Sequence, residues 1–136
     1  MVRSGLAVCL IAVITVVLYM VWLGWDQDND PVPGVRSNGY PYETWQMIGL
    51  VLTLAALAAV VTYRRMGLIA AVVIPTVLTI VWSIDAATDV APDANMWGIG
   101  AVFIAVYAFT GIGIVCALTV AVRHIAATYL KVHPQP

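Results

Sequence analysis

Three aspartates at alternate positions, Asp26, Asp28 and Asp30, open the stretch WDQDNDP at residues 25–31. Carboxylates at this spacing copy the first three ligand positions of an EF-hand calcium loop. The pattern then stops. Pro31 stands where such a loop needs its turn glycine, and Ser37 where it needs a bidentate glutamate. Loose attraction of cations to an acidic surface is the plainer chemistry, and no metal site is expected.

Asp85 and Asp89 are the next candidates. If a helix continues past Ile84, they lie at i and i+4 on one face and repel each other. Acids at the end of an apolar helix need either a partner or headgroup water. Arg36 is the one fixed cation in the same group of loops. One expectation is therefore an ion pair that folds Arg36 onto Asp85 or Asp89 and pins the long loop over the helices. The simpler expectation is that water among the headgroups solvates both acids. Asp93 is placed to cap the helix that follows it.

The remaining reactive side chains are isolated. Cys9 and Cys116 form no C-x-x-C pair and read as small packing residues at similar depth. His124 and His133 have no carboxylate or cysteine companions at metal spacing. The chain contains no G-x-S-x-G, no H-E-x-x-H and no phosphate-binding loop. Gly98-x-Gly100 and Gly111-x-Gly113 lie in an apolar run and read as helix packing. No catalytic residue and no cofactor is therefore expected, and six basic residues are too few for a nucleic-acid surface.

The elements that carry these residues follow from composition. The chain has 136 residues, 62% hydrophobic and 10% charged, where soluble domains carry about a quarter charged. Residues 4–25, 44–63, 66–84 and 94–122 contain no Asp, Glu, Lys or Arg, giving runs of 22, 20, 19 and 29 residues. A helix of about 20 apolar residues crosses about 30 Å of hydrocarbon. The expectation is an all-α membrane protein, an antiparallel four-helix transmembrane bundle forming one domain. Its helices fall at about 5–25, 42–63, 67–86 and 96–122, its outer loops at 26–41 and 87–95, and its tail at 123–136. The first run is too long for a secretory signal core and lacks a small-residue cleavage site before Tyr19, Trp22 and Trp25, so it is read as helix 1 of the mature protein.

Charge fixes an orientation. Arg3, Arg64, Arg65, Arg123 and Lys131 fall with the termini and the middle turn. Arg36 falls on the other side with Asp26, Asp28, Asp30, Glu43, Asp85, Asp89 and Asp93, giving +5 against −6. Cations collect on the cytoplasmic side, so both termini are expected there. Trp22, Trp25, Trp45, Trp82 and Trp97 all fall at outer helix ends, where indoles suit the interface. The outer loop 26–41, with Pro31, Pro33, Gly34, Gly39 and Pro41, is too rich in breakers for a helix.

Within the helices, Arg64-Arg65-Met66 is a short connection that makes helices 2 and 3 neighbours. Pro75 is expected to bend helix 3. Thr76, Thr79 and Ser83 form a polar stripe that reads as packing glue. Ala101, Ala105, Gly113, Ala117 and Ala121 form a small-residue row on helix 4, suited to close approach within the chain or between copies. Small multidrug antiporters share the size and helix count, but they use a glutamate in helix 1, and helix 1 here has no acid. Quinone-linked thiol oxidoreductases need outward-facing cysteine pairs, which this sequence lacks. The expected function is non-catalytic. A small multi-pass protein of a cell membrane, with an Ala- and Val-rich make-up compatible with a bacterial plasma membrane, acts by association as an accessory subunit or envelope factor. Its expected partners are the lipid bilayer and a membrane protein or a further copy of itself. The alternative is a small oligomeric channel, transporter or holin-like pore.

Overall fold

The computed structural model describes residues 2–24, 44–88 and 97–132. Among the described residues all but Gly24 are helical and there is no strand. The order is α1 (Val2–Leu23), α2 (Thr44–Val61), a π-helical segment (Thr62–Met66), α3 (Gly67–Thr88) and α4 (Trp97–Val132). Three continuous helical stretches, Gly5–Leu23, Thr44–Thr88 and Gly98–Tyr129, are long and apolar enough to cross a membrane.

The middle stretch holds 45 residues. Straight, it would measure about 68 Å. Its two ends nevertheless meet the same end of α1. Trp22 stands edge-on to Trp45, ring centroids 6.1 Å apart, and three residues earlier Tyr19 hydrogen-bonds Asp85 at 2.7 Å. Residues 45 and 85 can both lie there only if the stretch folds back on itself. The reversal is at Arg65, whose φ of 65° and ψ of 23° are left-handed. A left-handed residue ends many helices and redirects the chain. The short connection expected between helices 2 and 3 is thus a π turn with one left-handed residue.

Each packed face is a row of residues four apart. It comprises Ile11, Thr15, Tyr19 and Leu23 on α1, Gln46, Leu50, Leu54 and Ala58 on α2, Ala70 and Ile74 on α3, and Ile112 and Cys116 on α4. Such residues stack on one side of a helix. α3 packs most extensively on α4 and then on α1. α2 touches the other three helices, and no contact joins α1 to α4 among the described residues. The outward faces are equally apolar. Leu6, Leu10, Val13 and Val17 on α1 and Val102, Val106 and Leu118 on α4 are exposed. Water would not tolerate so large an apolar surface, and hydrocarbon does.

Several helix ends differ from the sequence reading. α1 stops at Leu23 and α3 runs on to Thr88. The larger difference is α4, which has 36 residues and continues through Arg123 to Val132, so most of the anticipated tail is helix. The physical reason lies in what the apolar run measures. Charge at Arg123 ends the favourable transfer into hydrocarbon, but the helix continues as long as propensity allows. Residues 123–132, RHIAATYLKV, contain no Gly or Pro and several strong helix formers. At about 54 Å, α4 is much longer than the hydrocarbon is thick.

Candidate functional site

Several polar side chains inside the apolar helices lie on the packed faces, although Tyr107 and Thr110 on α4 are exposed. Thr15, Gln46 and Thr62 are essentially fully buried and Tyr19 is 2% exposed. In hydrocarbon a polar group gains more from a protein neighbour than from a lipid tail, which turns such residues inward. Thr15 donates to the Ile11 carbonyl at 2.8 Å. Tyr19 reaches across to α3 and donates its phenol proton to Oδ2 of Asp85 at 2.7 Å.

Asp85 is therefore the sequence-derived candidate that the structure places in the interior. α3 does continue past Ile84, and Asp85 is half-buried against α1. A phenol meets one oxygen of its carboxylate. Thr88 caps the same turn, donating to the Asp85 carbonyl at 2.8 Å. Arg36, Asp89 and Asp93 lie outside the described residues, as do Asp26, Asp28, Asp30, Glu43 and His133.

Two indoles complete this end of the molecule. Trp22 lies on Gly49, where an added Cβ would stand 2.3 Å from the ring, and Trp82 lies on Gly100, where it would stand 2.4 Å away. Glycine is required at both because the ring occupies the space a side chain would fill. Trp22 and Trp82 are half-buried, so they work as packing rings between helices as well as standing near a helix end. Gly100 fulfils the packing reading, whereas Gly98, Gly111 and Gly113 face open space.

The small-residue row on α4 divides. Ala101, Ala105 and Gly113 are half-buried, and Ala117 and Ala121 are exposed. The face α4 turns to the other helices carries Ile112 and Cys116, one position away from Gly113 and Ala117. In its second half the row is therefore open at the surface. The hydroxyl stripe on α3 is spent locally, with Thr79 donating to the Pro75 carbonyl at 2.7 Å and Ser83 to the Thr79 carbonyl at 2.6 Å. Pro75 lies inside a helix that continues on both sides of it.

The cysteines separate. Cys116 is buried and accepts a hydrogen bond from Thr62 Oγ1 at 3.2 Å. Cys9 is exposed on α1, so among the described residues it does not take the packing role that the sequence reading gave it. His124 stands exposed within α4 rather than beyond its end. Among the described residues no three His, Cys, Asp or Glu side chains come close enough to hold a metal ion.

Sequence reasoning did not single out Tyr19 and Gln46. The signal was present, since each is a polar side chain inside or at the edge of an apolar run, and such residues face protein. Compared with known protein families, with characterised proteins and with solved structures, the chain matches none.

Proposed function

We propose that the chain is a small multi-pass integral membrane protein, an antiparallel four-helix transmembrane bundle with both termini in the cytoplasm. It acts by association, as a non-catalytic accessory subunit or cell-envelope factor in a bacterial plasma membrane. The bundle is supported by the fold-back at Arg65, which divides the 45-residue stretch into two arms of 18 and 22 helical residues joined by the π turn. The orientation rests on the charge asymmetry of the sequence.

The observation that carries association is the open row on α4. A Cβ at Gly113 would meet nothing within 4 Å, and Ala117 and Ala121 one and two turns on are exposed. Small residues four apart let a second helix come close enough for backbone contact, which drives helix association in lipid. Among the described residues no helix covers that strip at Ala117 and Ala121.

The test is the mass and composition of the full chain purified in mild detergent, for the wild type and for Gly113→Leu. A stoichiometric membrane partner, lost in Gly113→Leu while the helix content is kept, supports the accessory role. A homo-oligomer that leaks ions from liposomes supports the pore reading in its place. A monomer without partner, unchanged by the substitution, overturns association.

A further inference from the structure

At the end of the molecule away from Tyr19 and Asp85, the π turn, the start of α3 and the second half of α4 border an open cleft of about 770 Å³. Its chemistry is divided. Leu68, Ala71 and Val120 give it apolar walls, and Arg65, Arg123 and His124 supply basic groups. Among the described residues the lone acid, Asp85, stands at the opposite end on Tyr19, so no carboxylate from these helices neutralises the cleft.

Two details bear on what these cations meet. Among the described residues Nη1 of Arg123 has no hydrogen-bond partner and is closed to solvent. The half-buried guanidinium lines the cleft, and an anionic oxygen reaching its open side is the group that satisfies it best. Arg65 occupies the left-handed turn position, where glycine costs least. Backbone strain of this kind persists where the surroundings use it.

Depth supplies the rest. Arg123 is the first charge after the 29 charge-free residues 94–122, and a guanidinium at the end of such a run belongs at headgroup level. Leu68, on the lip of the cleft, is 82% exposed, giving an apolar surface that continues outward beside the basic groups. A ligand matching this arrangement has a compact anionic oxygen group and an apolar chain running away from it.

We propose that the cleft binds one glycerophospholipid with a net anionic phosphodiester headgroup. The phosphate lies on Arg123 and Arg65 with His124 as a further donor, and an acyl chain lies along Leu68, Ala71 and Val120. Arg123 presents a planar fork suited to phosphate oxygens. Ala117 and Ala121 of the open row on α4 also line the cleft, so a lipid seated here covers the second half of that row, and the proposal rests on the chain lying in a bilayer.

The experiment is native mass spectrometry of the full chain released from mild detergent, with phosphatidylglycerol or phosphatidylcholine of identical acyl chains as probe. Retention of phosphatidylglycerol several-fold over phosphatidylcholine is expected. Arg123→Gln lowers phosphatidylglycerol binding about fivefold, the effect of one basic group near a lipid surface. Arg64→Gln, whose exposed side chain is outside the lining, changes it less than about twofold. Val120→Trp fills the cleft without altering charge and abolishes retention, which covers the case in which Arg123→Gln does not fold. Equal losses in Arg64→Gln and Arg123→Gln, no headgroup preference, or displacement of the lipid by inorganic phosphate at equal concentration would each overturn the proposal. A chain that fails to enter phosphatidylglycerol vesicles at all refutes the membrane reading. A chain that enters them and shows no preference refutes the lipid site alone.

Discussion

Tyr19 and Asp85 are 66 positions apart in the chain and 2.7 Å apart in space, phenol oxygen to carboxylate oxygen. This bond ties the last turns of α1 to the last turn of α3 and shows that the acid is held by the protein. Tyr19→Phe keeps the ring in its buried place and removes only the donor. Interhelical hydrogen bonds in membranes contribute about 0.6 kcal/mol and at most about 1.7, since the separated helices also find partners. The substituted chain should lose stability in that range when unfolded by rising SDS in mild detergent. Unchanged stability would show that the contact is incidental.

One open and one occupied glycine predict opposite signs for the same substitution. At Gly113 a Cβ meets nothing within 4 Å, so Gly113→Ala gains helix propensity, up to about 1 kcal/mol. At Gly49 the same methyl would stand 2.3 Å from Trp22 Cζ3. The ring must then leave its place beside Trp45, and overpacking of this kind costs about 1–3 kcal/mol, more than propensity returns. Melting in detergent should therefore move up for Gly113→Ala and down for Gly49→Ala. Movement in the same direction would remove the packing role assigned to Trp22.

These pairs also mark how far the sequence could be read. The apolar runs, their number and the sorting of charges are properties of composition along the chain, and they carry the helical, membrane-spanning character directly. Which face of each helix is buried is another matter. A helix in water declares its inner face by a contrast between apolar and polar residues, but in lipid the outer face is as apolar as the inner one. Val17 is exposed and Ile11 buried on the same helix, with no difference in chemistry to separate them. The visible signal was part of the polar minority: Thr15, Tyr19, Gln46 and Thr62 turn inward, whereas Tyr107 and Thr110 are exposed. Helix ends set by propensity, as at Val132, were likewise invisible to a reading based on hydrophobic length. The glycines seated under Trp22 and Trp82 needed coordinates, because open and occupied glycines look alike in sequence.

The cysteines offer a check of the fold without any substitution. Cys9 is exposed on α1, and Cys116 is buried against Thr62. A small membrane-permeant thiol reagent should modify the folded chain once, at Cys9, and Cys116 only after denaturation. Peptide mapping by mass spectrometry reads the order. Early modification of Cys116 would mean that α4 does not pack on the π turn as described.

Orientation is tested from outside the cell. In a Cys9→Ala, Cys116→Ala background, Asp28→Cys is expected to react with an impermeant reagent on intact cells, and Lys131→Cys to react only after lysis. The prediction follows from the +5 and −6 division of charge. The opposite labelling pattern would invert the bundle. Reaction at both positions would mean that an even number of spans separates them, contrary to the three that follow from the two arms meeting at Arg65 and from α4.

Arg65 brings stability and binding into opposition. Its φ of 65° lies in the left-handed region, which costs an ordinary side chain about 1–2 kcal/mol and glycine far less. Arg65→Gly should relieve that strain, and after the extra chain entropy of glycine in the unfolded state the net gain is about 0.5–1 kcal/mol. The same change removes one of the basic groups of the cleft and should weaken retention of phosphatidylglycerol. Arg65→Val, β-branched at a positive φ, should be destabilised and bind weakly as well. Unfolding in SDS and native mass spectrometry on the three chains separate the two effects. A glycine variant that is more stable and binds lipid less would show that the arginine is kept at this turn for its charge. One that gains stability with lipid binding intact would leave the turn without a ligand-based reason for its arginine.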